Sequence, residues 1–552
     1  MKKLFFATIV GLLSSLGSLC AQDSLSVVVV DSVFVDTLPD SLSIAMSTRN
    51  YEKAYQFALE LNQRDSLADS TLYDCADCMT YFEKYNECLE FCAKWENKYP
   101  DNGYVEMFAA LKAECFFYQK DFASAANFLS LYEANLTEIG RELSAYYAGL
   151  YSTSLYKLYK YREADRVYEL YFRKTLSAEG LQMSEVHLSE NKDRSGAKLY
   201  DYAFNSFFMG DESKGMDLLY LSSRCGYEWA QQDYNHLSNC ATVMMDMDLK
   251  QKYVNQFIGY IDSYDFRYHH SPNSNVNVAE DFWSRLLKEN TAYLELQTEM
   301  DKDRKRKMLS KALDEIASGR ADMQYYLLTK CNPYQVSDIE ANLLEQLVGD
   351  NTHVLSDFRI YPADDPNAFA TPYGHIYLTS GLVLKYHFND NLLLGVCAHE
   401  MTHSICQHSL VNLWKQYEKE RKNEIIGGIA AGLYAATMTA TAMYGASNGV
   451  TYDQSYFDGI VYNSTNLYTA INAAAFYFQF KYSRAQEIES DLMAYRFCEA
   501  VGIGGYAYIM ALQLLGENDL YMKADKTSDH PTLSHRVAFL KWLYHSEHPT
   551  QS

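Results

Sequence analysis

The sequence predicts a mainly α-helical protein, in which an array of short helix pairs precedes a smaller α+β unit. Three observations carry that prediction. Proline is scarce, at 9 residues, while tyrosine reaches 48, a balance that suits stacked helices better than turn-rich sheets. Similar helix starts recur at separations of 34, 37 and 39 residues, the spacing of helix-turn-helix solenoids. Past Ile339 the pattern changes: Arg359-Ile-Tyr and His375-Ile-Tyr-Leu-Thr read as strands, set between apolar helical segments. A chain of 552 residues, 48% hydrophobic and 22% charged, is globular and too long for one ordinary core.

The first residues read as an address. Met1-Lys2-Lys3 is followed by apolar Leu4 to Leu19 and then by Ser18-Leu19-Cys20-Ala21-Gln22, an export signal with cleavage after Ala21. Lipid attachment at Cys20 is the rival, but Leu19 is bulky where such a signal wants a small residue. Residues 1–21 are therefore read as a signal peptide, and the mature chain is expected in the periplasm or cell envelope, or secreted. Residues 22–40 are acidic and Ser/Val-rich and read as a linker. The formal net charge of −23 repels phosphates and argues against nucleic acid as a partner.

Residues 41–265 form the repeat region. Its starts are Asn50-Tyr-Glu-Lys-Ala-Tyr, Lys84-Tyr-Asn-Glu-Cys-Leu, Asp121-Phe-Ala-Ser-Ala-Ala and Lys160-Tyr-Arg-Glu-Ala-Asp, with aromatics at Tyr51, Tyr85, Phe122 and Tyr161. An aromatic followed three residues later by a small side chain resembles the tetratricopeptide repeat, in which the small residue lets paired helices approach closely. An irregular helical array is the other reading. Either one offers an aromatic-rich surface suited to a protein partner or peptide. Within the region, Cys75, Cys78, Cys88 and Cys92 cluster with spacings open to three readings: a structural zinc site, disulfides, or buried thiols. Residues 266–334 read as connecting helices.

Residues 335–552 carry the chemistry. Leu392 to Cys406 is an apolar helix interrupted by His399, Glu400 and His403. Histidines four apart lie about 40° apart around a helix axis, so both imidazoles can reach one metal ion. Glu400 stands beside them, placed to act as general base toward the attacking water. His408, nine residues after His399, lies roughly on the opposite helix face and is not a ligand candidate by that geometry. A catalytic zinc site needs a third protein ligand. The second helix supplies carboxylates at Glu487 and Asp491, which share a face; one can bind metal while the other orients a histidine. Glu489 is rotated about 200° from Glu487 and points elsewhere.

Four segments in order resemble the zinc metallopeptidases of family forty-eight, the gluzincins that include HtpX, BepA and the CAAX prenyl protease. Asn367-Ala-Phe-Ala, with the strand beyond it, matches the family's segment of that composition. His399 to His403, extended to His408, matches its active-site helix. Arg484 to Asp491 matches the segment whose first glutamate binds zinc, and Asp529-His530-Pro531 through Arg536 matches a His-Pro segment ending in arginine. The resemblance covers about residues 335–545. It implies a zincin-type α+β fold, one zinc ion (Zn2+) per chain on His399, His403 and Glu487, and Glu400 as catalytic base. It further implies Asp491 and Arg536 as supporting residues, and His530 as a switch or transition-state stabiliser. Tyr373 departs from the family's glycine in the turn before Gly374. An edge strand formed by Gly374, His375, Ile376 and Tyr377, with Asn367 ahead of it, is expected to hold an extended substrate.

The expected function is that of an exported endopeptidase acting on protein or peptide substrates in envelope quality control, with the repeats recruiting substrate or an envelope partner. The alternative is a repeat-built chaperone carrying a latent peptidase. Ile425 to Tyr444, 20 residues without a charge, is long enough to cross a bilayer. Its small residues and its place between two metal-binding segments suit a close-packed hairpin or lid better, so membrane association is not favoured.

Overall fold

A computed structural model describes residues 37–64, 66–67, 69–98, 105–173, 194–244, 268–269, 277–289, 336–349, 355, 357–361, 366–370, 375–408, 482–516 and 533–549. The export signal, the 425–444 run, Gly374 and His530 lie outside them. The chain divides into two compact units, Met1–Cys115 and Phe116–Ser552. It is mainly helical with one small sheet, as the sequence predicts.

The front of the chain is a succession of helices: α1 (Leu38–Ser47), α2 (Tyr51–Asn62), α3 (Asp69–Tyr81), α4 (Tyr85–Lys98), α5 (Val105–Tyr118), α6 (Phe122–Glu138), α7 (Ala145–Lys157), α8 (Tyr161–Phe172), α9 (Arg194–Phe208), α10 (Glu212–Arg224) and α11 (Glu228–Met244). The four predicted aromatic starts are the first residues of α2, α4, α6 and α8, consistent with helical repeats. One turn recurs before each of them. Arg49, Glu83, Lys120 and Tyr159 adopt positive φ, and the next residue's N–H bonds the carbonyl five residues back, as in Asn50 to Ala45 and Lys160 to Leu155. This is the Schellman closure, which satisfies the last carbonyls of the preceding helix. Gly210 and Asp211 repeat it before α10, a further instance that the sequence hides because Glu212 replaces the aromatic. The residue three places on is Ala54, Cys88, Ala125 or Ala164, each fully buried. In α10 it is Gly215, where a Cβ would meet the Phe207 ring at 2.5 Å.

In the first unit, Ala54, Ala58, Leu72, Phe91, Trp95 and Leu111 build the core together with Cys75, Cys78, Cys88, Cys92 and Cys115. All four predicted cluster cysteines are free, buried thiols. Among the described residues they belong to no group of donors close enough to share a cation.

The second unit joins the later helix pairs to α12 (Val278–Glu289), α13 (Val336–Val348), β1 (Asp357–Tyr361), β2 (Ala368–Ala370), β3 (His375–Thr379), α14 (Ser380–Lys385), α15 (Asp390–Ile405), α16 (Arg484–Ala500), α17 (Gly505–Leu515) and α18 (Leu533–Glu547). The sheet order is β1-β3-β2, with β3 parallel to β1 and antiparallel to β2. The strand containing His375, Ile376 and Tyr377 is therefore the centre of the sheet, not an edge. Ile376 and Tyr377 are fully buried, so the expected substrate-holding strand is corrected. On the far side of β1, Glu340 from α13 accepts the Ile360 N–H at 2.7 Å. Among the described residues β2 is the other outer strand, half-buried at Ala368 and Phe369, buried at Ala370, and packed beside α15.

Helix α15 is buried from Asn391 to Ile405, which explains its continuous apolar run. Asn389 caps its start by accepting the N–H groups of Asn391 and Leu392. The later helix pairs cover that end. Asn391 donates to the Tyr161 hydroxyl at 3.0 Å, Trp229 stacks on His387 with centroids 4.6 Å apart, and Tyr544 donates to the Met209 carbonyl at 2.9 Å. Among the described residues, no helix is long and apolar enough to cross a membrane.

A fragment beginning at residue 335 loses this cover. Uncovering two aromatic side chains, about 1.5–3 kcal/mol each, lowers the melting midpoint by roughly 10 °C at this size. Calorimetry of that fragment beside one beginning at residue 116 checks this: the longer piece keeps a single cooperative transition, and the shorter melts lower.

Candidate metal centre

The two histidines of α15 face α16, whose start is set by a capping box. Ser483 accepts the Gln486 N–H, and the Gln486 side chain accepts the Ser483 N–H at 2.8 Å. This orients the first helical turn so that Glu487 points inward. His399 Nε2 and His403 Nε2 lie 3.0 Å apart. Glu487 Oε2 is 3.6 Å from the first, and Oε1 is 3.9 Å from the second. The three side chains are buried, and their donor atoms gather within 4.8 Å of one another.

The second nitrogen of each ring is engaged. His399 Nδ1 lies 3.1 Å from Asp491 Oδ1 and 2.8 Å from the Tyr508 hydroxyl. Tyr508 itself donates to Asp491 at 2.6 Å, so the network places the His399 proton on Nδ1 and leaves Nε2 with a lone pair. Arg536 grips both oxygens of Asp491, at 2.7 and 2.6 Å, and its Nη1 reaches Glu487 at 3.2 Å. Burial opposes the charge on Asp491, which is 0% exposed. The Arg536 guanidinium, with hydrogen bonds from His399 and Arg536, outweighs burial and holds the carboxyl well below the usual carboxylate range.

Glu400 is 9% exposed. Burial pushes its carboxyl up to about 7 against the pull of His399; Glu487 adds to the rise, while Arg536 and a backbone hydrogen bond from Ala370 reduce it. A carboxyl poised near neutrality suits proton transfer. The donor set of two imidazole nitrogens and one carboxylate is the kind that holds catalytic zinc. Two imidazole nitrogens 3.0 Å apart, with the Glu487 carboxylate facing both, make a donor set that fits a divalent cation.

Residues 343–543 match the model of peptidase family M48. These residues form an M48 peptidase domain. Neither a curated protein nor a solved structure matches the chain. The M48 domain is thus a metallopeptidase unit, and the three converging side chains form a candidate metal site within it.

Of the predicted site residues, the M48 domain brings His399, His403, Glu400, Glu487, Asp491 and Arg536 together. Asn367 lies exposed at the start of β2, where its side chain accepts the Ala368 N–H at 2.9 Å. His375 contributes backbone to the central strand. His408 is a correction. Helix α15 stops at Ile405 and Gln407 turns with φ 53°, so His408 folds back against His403 instead of continuing to the opposite face. Sequence reasoning missed Tyr508. Its available signal was Gly395, one turn before His399, where a Cβ would meet the Tyr508 ring at 3.1 Å.

Arg536→Met strands the Asp491 carboxylate without its partner. Denaturant unfolding is expected to show a loss of about 3 kcal/mol or more, and the added change Asp491→Asn recovers most of it.

Proposed function

We propose that this protein is an exported, zinc-dependent endopeptidase of envelope protein quality control, whose helical repeats recruit substrate or a partner protein. The observation that carries the reading is the convergence of His399, His403 and Glu487 from two distant helices, with Glu400 beside them. Zinc held by those three residues would supply Lewis acidity toward a peptide carbonyl and toward water.

The chain's own groups account for the rest. Glu400 takes the proton of the attacking water and returns it to the leaving amine. Asp491 and Tyr508 fix the His399 ring, and Arg536 balances the charge of Asp491 and Glu487. Substrate pairs with the outer edge of β2 by β-augmentation. Thr379 N–H bonds the Asn367 carbonyl at 3.0 Å, so the alternation of an antiparallel ladder turns Ala368 and Ala370 outward. Ala370 meets Glu400, which puts this edge next to the base. A substrate carbonyl replaces the Asn367 side chain on the Ala368 N–H. Edge pairing reads backbone and not a chain terminus, which supports cleavage within chains. The export-type start supports action outside the cytoplasm. Exposed Tyr81, Leu131, Ile139 and Tyr220 support a recruiting role for the helices.

Glu400→Gln is expected to retain one zinc per chain by elemental analysis and to digest unfolded casein at least about 100-fold more slowly. Casein cleavage at the wild-type rate removes Glu400 from the mechanism. Chelation abolishes wild-type cleavage and zinc restores it, while Glu487→Ala holds zinc at well below one equivalent.

A further inference from the structure

We propose that Glu489 acts through His408 to lock the His403 ring as a metal ligand, a counterpart to what Asp491 does for His399. The inference rests on the zinc-peptidase reading above. His408 is 3% exposed, and its Nδ1 lies 2.8 Å from His403 Nδ1. Its Nε2 lies 2.9 Å from Glu489 Oε2. One proton arrangement satisfies the whole chain. His403 presents its Nε2 lone pair to the cation, so its Nδ1–H donates to His408 Nδ1, and the His408 Nε2–H donates to Glu489. In that arrangement each outer ring nitrogen has one partner and no buried nitrogen is left over.

Tyr482 stacks on the His403 ring, with centroids 3.7 Å apart and planes at 15°, which closes off rotation from another side. Helix α16 thereby supplies three carboxylates to one centre. Glu487 faces the cation, Asp491 holds one histidine directly, and Glu489 holds the other at one remove. Its rotation away from Glu487 around the helix is what lets it reach His408. Hydrogen bonding to the remote nitrogen of a histidine fixes its tautomer and strengthens it as an electron-pair donor. Cys406, His408 and Glu489 also gather closely, but both His408 nitrogens are engaged within the chain, so no lone pair is offered to a second ion.

The test uses the full chain with Glu489→Gln, His408→Ala, His408→Asn and the Glu489→Gln/His408→Ala double variant. Zinc affinity is read by competition with a chromogenic chelator, ligand geometry by the cobalt(II) absorption spectrum, and folding by melting of the metal-free protein. Glu489→Gln and His408→Ala are each expected to weaken zinc binding by about ten- to a hundred-fold, with a shifted cobalt spectrum and one ion at saturation. The isosteric Glu489→Gln leaves the metal-free melting point unchanged. His408→Asn returns an acceptor to His403 and recovers part of the affinity. In the His408→Ala background, Glu489→Gln costs nothing further, because its route to the metal is gone. Wild-type affinity in Glu489→Gln, an equal cost in both backgrounds, or a second zinc equivalent lost with His408 overturns the relay while leaving the peptidase reading intact. A wild-type chain that binds no zinc overturns both.

Discussion

The rest of the structure depends on two imidazole nitrogens held 3.0 Å apart inside a helix buried along its length. Two ring nitrogens that close can share one proton, or both can give their lone pairs to one cation. The surrounding side chains hold the two rings in that arrangement. Asp491 and Tyr508 hold the far nitrogen of one ring, and His408 holds the far nitrogen of the other. Both rings are thereby aimed at a common point that Glu487 also faces. Such preorganisation is expected of a site that must bind tightly and leave one position open for chemistry.

The same buried helix ties the later helix pairs to the M48 domain within the second unit. Asn391, near the start of α15, is bonded to Tyr161, the first aromatic of the last predicted repeat. The M48 domain and helices α7 to α11 lie in one compact unit, with Trp229 on His387 and Tyr544 on the Met209 carbonyl. An aromatic at a helix start thus also supports the helix that carries His399 and His403.

The sheet illustrates how pairing order decides chemistry. Three short strands would serve equally well as a covering layer in any order, but only an outer strand can accept a peptide. Pairing order puts β3 in the centre and makes β2, with Ala368 and Ala370, an outer strand. Glu340 meanwhile satisfies Ile360 at the opposite edge. Glu400 accepts a hydrogen bond from the backbone of the same outer strand, at Ala370.

The sequence by itself determined what is local: the helical class, the aromatic-led starts of α2, α4, α6 and α8, and the face shared by His399 and His403. The capped start of α16 belongs with these, because helix periodicity and short-range hydrogen bonds depend on neighbours within a few residues. Tertiary structure alone decided which strand is the edge, that His408 returns to His403, and that Tyr508 reaches His399. Strand order is a long-range choice, and residues 357–379 are compatible with more than one. The turn at Gln407 breaks the periodicity from which the direction of His408 was extrapolated. Tyr508 meets its partner only because Gly395 lets two helices approach within van der Waals contact, and no spacing along the chain encodes that meeting.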